Sequence, residues 1–494
     1  MNIMNNRSKI YDEQADTIRI EDITTDINNR IVLRRLKNNK YGKEGEANHY
    51  LWIQNRHDQE DGFETSTDYV PGGSFDMGWL GYFVGKSNVL RHLSIRNGSS
   101  LEPFLIGVNH NKSITTLCFN GVNLLEGRSF MMILDSFFKN NHNLTEITVN
   151  NCLLGNDCCR LLALAIGGRS RSLGCLIMKG NNNITEEDMV PIITSLSMHP
   201  QLKRLELQGG VIHKNGCVAL ATLLQNSTTG LQTLDLSQND IDDIGIDILV
   251  PALAKHRRLQ RLVISRNDSV TTRGWQSLAT ILENPDSNLQ ELIVFADNID
   301  DETLCIFINA LSNNCTLQVL YLGASDISKD TLQGFSNLLC DTLSVNATYL
   351  SNHTLTSLDN MIQCALKPLL TPNQKGDKKK VATLKVLKHH NDFDMKPFFE
   401  WEFKVLPLVI GWLERAFSYT TDFDANIEER KLSSIYQFIR NMPVLYVETR
   451  LRNELEDILS EVSQMEEEER ERKLRKQLLQ ERKKTIMEKL DVGK

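Results

Sequence analysis

The sequence predicts an α/β solenoid in which short parallel strands line a concave side and helices line a convex one. Three observations predict it. Along the middle of the 494-residue chain an apolar residue recurs at Leu90, Ile114, Leu144, Leu173, Leu202, Leu231, Leu259, Leu289 and Leu317, in steps of 24, 30, 29, 29, 29, 28, 30 and 28 residues. Counted from each of these as position one, position four is Leu or Ile in all nine units, and position six is apolar in all nine, from Ile95 to Leu322. Between these runs lie apolar helical patterns, at Ala163-Leu164-Ala165-Ile166 and across residues 218–224, 246–253, 278–282 and 304–311. A period of 28–29 residues has room for a strand and a helix, where shorter repeats hold only extended or 3₁₀ connections. Strands stack about 4.8 Å apart and helix axes about 10 Å apart, so such a stack bends into a horseshoe with the strands inside.

Composition agrees with a soluble folded chain: 41% apolar and 24% charged residues, with a formal net charge of −8. That acidic balance argues against a general nucleic-acid binder. The opening MNIMNNRSKIYDEQ has no apolar signal-peptide core, and no apolar run is long enough to span a bilayer. The expectation is a cytoplasmic protein, with the nucleus as the alternative. Its ten cysteines are scattered, many of them in apolar repeat context, and are expected as buried free thiols in a reducing compartment.

Taken in order, residues 1–48 form a polar segment, partly disordered, in which residues 31–36 (IVLRRL) could make a short piece covering the open end. Residues 49–88 are an N-terminal cap, which a solenoid needs because its first unit has no neighbour. The cap holds an atypical strand at residues 49–53, a polar loop at 54–74, and an apolar helix at 77–85 ending on Gly85 as a C-cap. Within it GYFVGKS, residues 81–87, looks like a phosphate loop. However, only three residues separate its glycines, and the helix comes before the motif and the strand after it, the reverse of what phosphate binding at a helix N-terminus requires.

The solenoid runs over residues 89–370. Position nine explains the turn out of each strand: Asn181, Asn239 and Asn267 in three units and Cys152 in another. An asparagine there can donate to and accept from backbone groups that the turn leaves unpaired. This spacing, with Asn or Cys at the turn and a helix on the convex side, resembles the ribonuclease-inhibitor-like class of leucine-rich-repeat proteins over residues 90–339. The resemblance implies the leucine-rich-repeat horseshoe and protein binding without a set partner.

After Leu339 the period breaks, and Leu355-Thr356-Ser357-Leu358 could open a last degenerate unit. Residues 371–380, TPNQKGDKKK, are expected as a linker, and 381–449 as a helical C-terminal cap whose Val381, Leu384 and Leu387 share one face. The strings MKPFFEWEFKVLPLVIGWLE and SSIYQFIRNMP, with MGWLGYFVGKSNVLRHL near the start, resemble a group of leucine-rich-repeat proteins from unicellular algae of the diatom type. That resemblance implies domain boundaries and no particular activity. Residues 450–494 are a charged helix or short coiled coil: Leu451, Leu455, Ile458, Val462 and Met465 follow a heptad seam that fails after two heptads. Its uses are a solvated protruding helix or weak self-association.

Chemistry finds little footing. Cys152, Cys158 and Cys159 have no histidine at ligand spacing, His389-His390 lacks a second ligand pair, and no catalytic signature is present. The expectation is no enzyme, no cofactor, no metal, no nucleic acid and no membrane. The informative surface is the strand face. Positions two, three, five, seven and eight point away from the leucines and are mostly polar, including Lys203, Arg204, Glu206 and Asp235. Position five turns apolar at Val263, Ile293 and Tyr321, with Phe295 beside them at position seven. These four are the candidate centre of a partner-binding site, with Arg261, Arg266 and Asp235 on its rim. The function so read is a non-catalytic intracellular scaffold or adaptor that holds a protein partner on the concave face. The alternative is a GTPase-activating regulator of a Ran-like GTPase, because similar repeat horseshoes serve that role; it expects a long acidic tail, whereas residues 451–494 carry 12 acidic and 11 basic residues. A third reading, ligand sensing of the innate type, finds no attached nucleotide-binding or death-fold domain here.

Overall fold

The computed structural model describes residues 10–38, 49–54, 68–96, 101–123 and 137–390, short interruptions in the last span aside, together with 475–476. The expected helical cap beyond residue 390 and the heptad seam lie outside the described residues. The chain divides into Met1–Val386 and Leu387–Lys494, and the fold described here is that of the first unit.

The fold is an α/β leucine-rich-repeat solenoid built on one open parallel sheet. Its strands are β1 (Tyr50–Ile53), β2 (Asp68–Tyr69), β3 (His92–Arg96), β4 (Thr116–Asn120), β5 (Glu146–Asn150), β6 (Cys175–Lys179), β7 (Arg204–Gln208), β8 (Thr233–Asp235), β9 (Arg261–Val263), β10 (Glu291–Ile293) and β11 (Val319–Tyr321). They lie in the order β11 to β3 and then β1 and β2, every pair parallel. The register repeats without slip: Leu205 faces Leu234, Leu234 faces Leu262, Leu262 faces Leu292, and Leu292 faces Leu320. This is the position-four row read from the sequence, and each of those leucines is fully buried. Replacing Leu262 by Ala is expected to cost about 3 kcal/mol, the middle of the range for a buried leucine, as a lowered midpoint in a thermal melt.

Parallel neighbours need long crossovers, and helices supply them. α1 (Ile20–Ile23) and α2 (Ile27–Lys37) precede the sheet, and α3 (Ser74–Lys86) and α4 (Glu102–Val108) flank β3. α5 (Asn156–Arg169), α6 (Glu186–Ser195), α7 (Lys214–Gln225), α8 (Asp243–Lys255), α9 (Thr272–Glu283), α10 (Asp301–Leu311) and α11 (Lys329–Leu339) follow β5 to β11 in turn. Their starts are written locally. The side chains of Asp242, Asp300 and Ser328 accept hydrogen bonds from the amides of Gly245, Thr303 and Thr331, meeting donors that a helix N-terminus leaves free.

The turn asparagines act as expected. Asn181 donates to the Val149 carbonyl at 2.7 Å and accepts from the Cys152 amide at 2.8 Å, and Asn239 donates to the Leu207 carbonyl at 2.7 Å. A second row, at the return from helix to strand, escaped the sequence reading. Three residues before the opening leucine or isoleucine stand Asn111, Asn141, His199, His256, Asn314 and Asn352, all buried. Asn111 is typical: it donates to the carbonyls of Val84 and Ser87 and accepts from the amides of Ser113 and Ile114, at 2.6–3.0 Å. The signal lay at a fixed offset, in NHNKSI, NNHNL, SMHPQL, NNCTL and SNHTL.

The N-terminal cap differs from the expectation in three places. The polar loop contains β2, which pairs with β1 and is held by Asn29 of α2: its side-chain amide donates to the Val70 carbonyl at 2.6 Å, and its side-chain oxygen accepts from the Val70 amide at 2.9 Å. Tyr11, in the 1–48 segment expected to be partly disordered, packs onto the cap, edge-on to buried Trp79 at 4.7 Å. Gly85 is not a C-cap but lies inside α3, which ends at Lys86. The glycines of GYFVGKS serve close packing: a Cβ on Gly81 would lie 2.1 Å from the Phe104 carbonyl oxygen, and one on Gly85 would lie 2.2 Å from that of Gly107.

At the other end, Val319 bridges to Ser357 in parallel, and Leu355 and Leu358 are buried, so the degenerate unit forms. Its long step accommodates an extra helix, α12 (Val345–Leu350). α13 (Asn360–Leu370) follows it. Residues 371–380 are not an open linker: Thr371–Lys375 is a 3₁₀ turn and α14 (Lys378–His389) begins inside the stretch. The inward face of α14 includes Val381, Ala382 and Lys385, while Leu384 is only half-buried.

Lys385 is 2% exposed, and its ammonium donates to the Leu339 carbonyl at 2.7 Å. Burial pushes its pKa down from 10.5 to about 8; nearby Cys340 acts in the opposite sense. The folded pKa lies below the unfolded one, so the protonated form weakens the fold. The contribution of Lys385 is expected to be least favourable below pH 8 and to rise by about 3 kcal/mol as pH climbs from there through 10.5, while the buried thiols act in the opposite sense above pH 9. The difference between wild-type and Lys385→Met melts across that range checks it, the wild type gaining on the variant as pH rises.

Candidate functional site

The strand face is set by the pleat. With positions four and six turned into the core, positions three, five and seven face the other way. The position-five row follows the register: Glu206 faces Asp235, Asp235 faces Val263, Val263 faces Ile293, and Ile293 faces Tyr321. The candidate residues are therefore brought together, but not as a uniformly exposed patch. Val263 and Ile293 are 8% and 9% exposed, so they form a floor and not a contact surface. Side chains on adjacent strands stand about 5 Å apart and cover one another, a loss of exposure that polarity along one strand cannot show.

Of the four, Phe295 is the one that stands exposed, at 45%. Its ring stacks on half-buried Tyr321 with centroids 6.3 Å apart and planes 23° from parallel. Both residues are held, Tyr321 through its side chain and Phe295 through its backbone. The Tyr321 hydroxyl and Ser357 Oγ share a hydrogen bond of 2.8 Å, and Ser357 Oγ donates to Gln363 Oε1 at 2.8 Å. The Phe295 amide donates to Ser265 Oγ at 3.1 Å. Gly323, with φ of +73°, has no side chain to meet the Phe295 ring, which a Cβ would approach to 2.6 Å. Asp359 finishes the edge: its carboxylate accepts from the Leu322 amide at 2.9 Å and the Gly323 amide at 3.2 Å, in place of a further strand. Ser357, Asp359 and Gln363 were not read as site residues. Counting on from Leu355 by the same offsets would have placed the first two at positions three and five.

The rim residues differ among themselves. Arg261 is ion-paired with Glu291 on the neighbouring strand. Arg266 is exposed, and its backbone, at φ of +54°, donates to the Phe295 carbonyl at 2.6 Å. Asp235 is half-buried and turned to Ser237, accepting from its amide at 2.9 Å and its hydroxyl at 2.6 Å, so it belongs to a charged cluster on β6–β8. There Lys179 lies 2.6 Å from Glu206 and 4.0 Å from Asp235, and Arg204 also pairs with Glu206. Burial raises the Glu206 pKa, but the hydrogen bonds from Lys179 and Arg204 outweigh it and hold the carboxyl below its ordinary range.

Among the described residues no cluster of three or more histidine, cysteine or acidic side chains could hold a metal ion, and no helix is long and apolar enough to cross a membrane. The cysteines form no disulfide among the described residues; Cys305, Cys315 and Cys364 are exposed, against the expectation of burial. Burial pushes the Cys152 and Cys159 thiols up to about 11 and 12, which keeps them protonated and poor nucleophiles at neutral pH.

No family model matches the chain. Among curated proteins it is 32% identical over 183 residues to NACHT, LRR and PYD domains-containing protein 12 of Mus musculus, covering 36% of this chain and 17% of that one. It is 27% identical over 231 residues to NACHT, LRR and PYD domains-containing protein 13 of Homo sapiens, covering 46% and 21%. The matches thus span about a fifth of the length of these relatives. Among solved structures, an internalin (InlF) from Listeria monocytogenes aligns with 60% of this chain and 84% of its own, at 17% identity and a TM-score of 0.32. Repeat register, sheet and relatives together define a leucine-rich-repeat protein.

Proposed function

We propose that this chain is a non-catalytic scaffold that docks a protein partner on its strand face, with the Phe295–Tyr321 stack as the anchor. The observation that carries the reading is an exposed aromatic ring on an apolar floor, with a second ring clamped against it by Ser357 and Gln363. An ordered aromatic loses little side-chain entropy on binding, and aromatic and arginine side chains dominate binding energy at interfaces. Val263 and Ile293 support the ring, and Arg266 beside it supplies a charged rim. The relatives named for their LRR regions support the scaffold reading. Nothing among the described residues favours the GTPase-activating alternative.

The Phe295→Ser/Tyr321→Ser double variant is expected to lose the proteins that the wild-type chain captures from the source cell, by about tenfold or more, with a lowered melt because Tyr321 is half-buried and bonded to Ser357. Phe295→Ser alone is expected to lose most of that capture with a melt that moves little. A convex-face change at Val218, which is 47% exposed on α7, is expected to leave capture intact. Equal recovery by the double variant and the wild type would remove the proposal.

A further inference from the structure

We propose that the partner presents an acidic peptide segment carrying an aromatic or branched apolar side chain that seats on Phe295. This rests on the docking reading above and names the chemistry of the partner. On this face the cations stand up and the acids lie beneath them. The side chains of Lys179 and Arg204 are 35% and 53% exposed, whereas Glu206 between them is 5% and Asp235 15% exposed. Both sunken acids are already bonded from within the face. An approaching molecule therefore meets ammonium and guanidinium groups first.

At positions three, five and seven of β6–β10 three basic residues, Lys179, Arg204 and Arg261, balance three acids, Glu206, Asp235 and Glu291. Lys203, just before β7, and Arg266, just after β9, are two further exposed cations at the edges of the face that form no ion pair among the described residues, and they tip it positive in a chain whose formal charge is −8. The face is thus locally positive on an acidic protein, the complement of an acidic partner and a barrier to a basic one.

The spacing suits a peptide. Lys179 occupies position seven on β6, in register with Gln208 on β7, and Phe295 occupies the same position on β10. Four strand steps at about 4.8 Å separate them by roughly 19 Å, which an extended segment of about six residues covers. The Arg266 amide donates to the Phe295 carbonyl, so this exposed residue sits just past β9, next to the anchor, while Lys179 and Arg204 lie on β6 and β7 at the far end. The apolar floor and the small net positive charge fit a peptide better than a nucleic-acid backbone, whose binding scales with the number of phosphates neutralised.

The probe is a random peptide library displayed on phage, selected on the full chain, each recovered peptide then being tested on Phe295→Ser/Tyr321→Ser. The expected binders are enriched in Asp and Glu over Lys and Arg and contain Phe, Trp or Leu. A synthetic peptide from that set is expected to lose about tenfold in affinity on Lys203→Glu/Arg266→Glu, and to weaken at high salt. Should that variant melt early, Lys203→Gln/Arg266→Gln reads the same loss at a smaller size. Enrichment of neutral or basic peptides, no enrichment at all, affinity unmoved by the charge variants, or equal displacement by a polythymidine oligonucleotide would overturn the proposal. Neutral or basic peptides that still need Phe295 and Tyr321 leave the docking face standing and overturn only its acidic partner. Peptides that bind the double variant equally well remove the docking face itself.

Discussion

Asn352→Ala is expected to cost about 5 kcal/mol. Asn352 is 3% exposed and holds four backbone groups: it donates to the carbonyls of Leu311 and Asn314 at 3.0 and 3.1 Å, and accepts from the amides of Thr354 and Leu355, both at 2.9 Å. The Leu311 carbonyl keeps its bond from the Asn314 amide, so three groups lose the partner that met them. Each buried orphan costs about 1–3 kcal/mol, and the alanine methyl can neither donate nor accept in place of the lost amide. In a repeat array each unit leans only on its neighbours, so the loss should concentrate at the end of the solenoid. Urea unfolding gives the size, and amide exchange gives the place: protection should fall from β11 through α13 and hold at β5–β7. An unchanged urea midpoint would contradict the role of the second asparagine row.

Gly81→Ala is the other large effect, expected at about 4 kcal/mol. The new Cβ would lie 2.1 Å from the Phe104 carbonyl oxygen and 2.8 Å from its carbonyl carbon and Cα, all backbone atoms of α4. Side chains can turn away from such a contact, but a helix backbone moves only as a body. Separating α3 from α4 would strip contacts around Trp79, Phe83 and Phe104, so the cost exceeds the usual 1–3 kcal/mol of overpacking. Limited proteolysis should show the cap opening before the later repeats. Lys86→Ala is a matched control, because Lys86 is exposed and its ion pair with Asp12 is a surface one. A phosphate loop would put the greater demand on the lysine; helix packing puts it on the glycine.

The sequence by itself determined the solenoid and the register of its repeats. Core leucines at positions four and six answer to a period that survives in the letters, and Asn181, Asn239 and Asn267 could be assigned to the turn because one asparagine meets backbone groups at a fixed offset. The glycines of GYFVGKS could be taken away from phosphate binding by the order of helix and strand alone. What the sequence could not determine was everything that depends on a neighbour in space. Val263 and Ile293 read as exposed because they alternate with core residues, yet strands about 5 Å apart cover them and leave Phe295 to stand out. Arg204, Glu206 and Lys179 come from two different repeats, and only the sheet joins them into one cluster with its acids underneath. Tyr321 is clamped by Ser357 and Gln363 from a unit whose period had already broken. Periodicity is a property of the chain and is legible along it; exposure and charge order are properties of packed surfaces, and only the tertiary structure decides them.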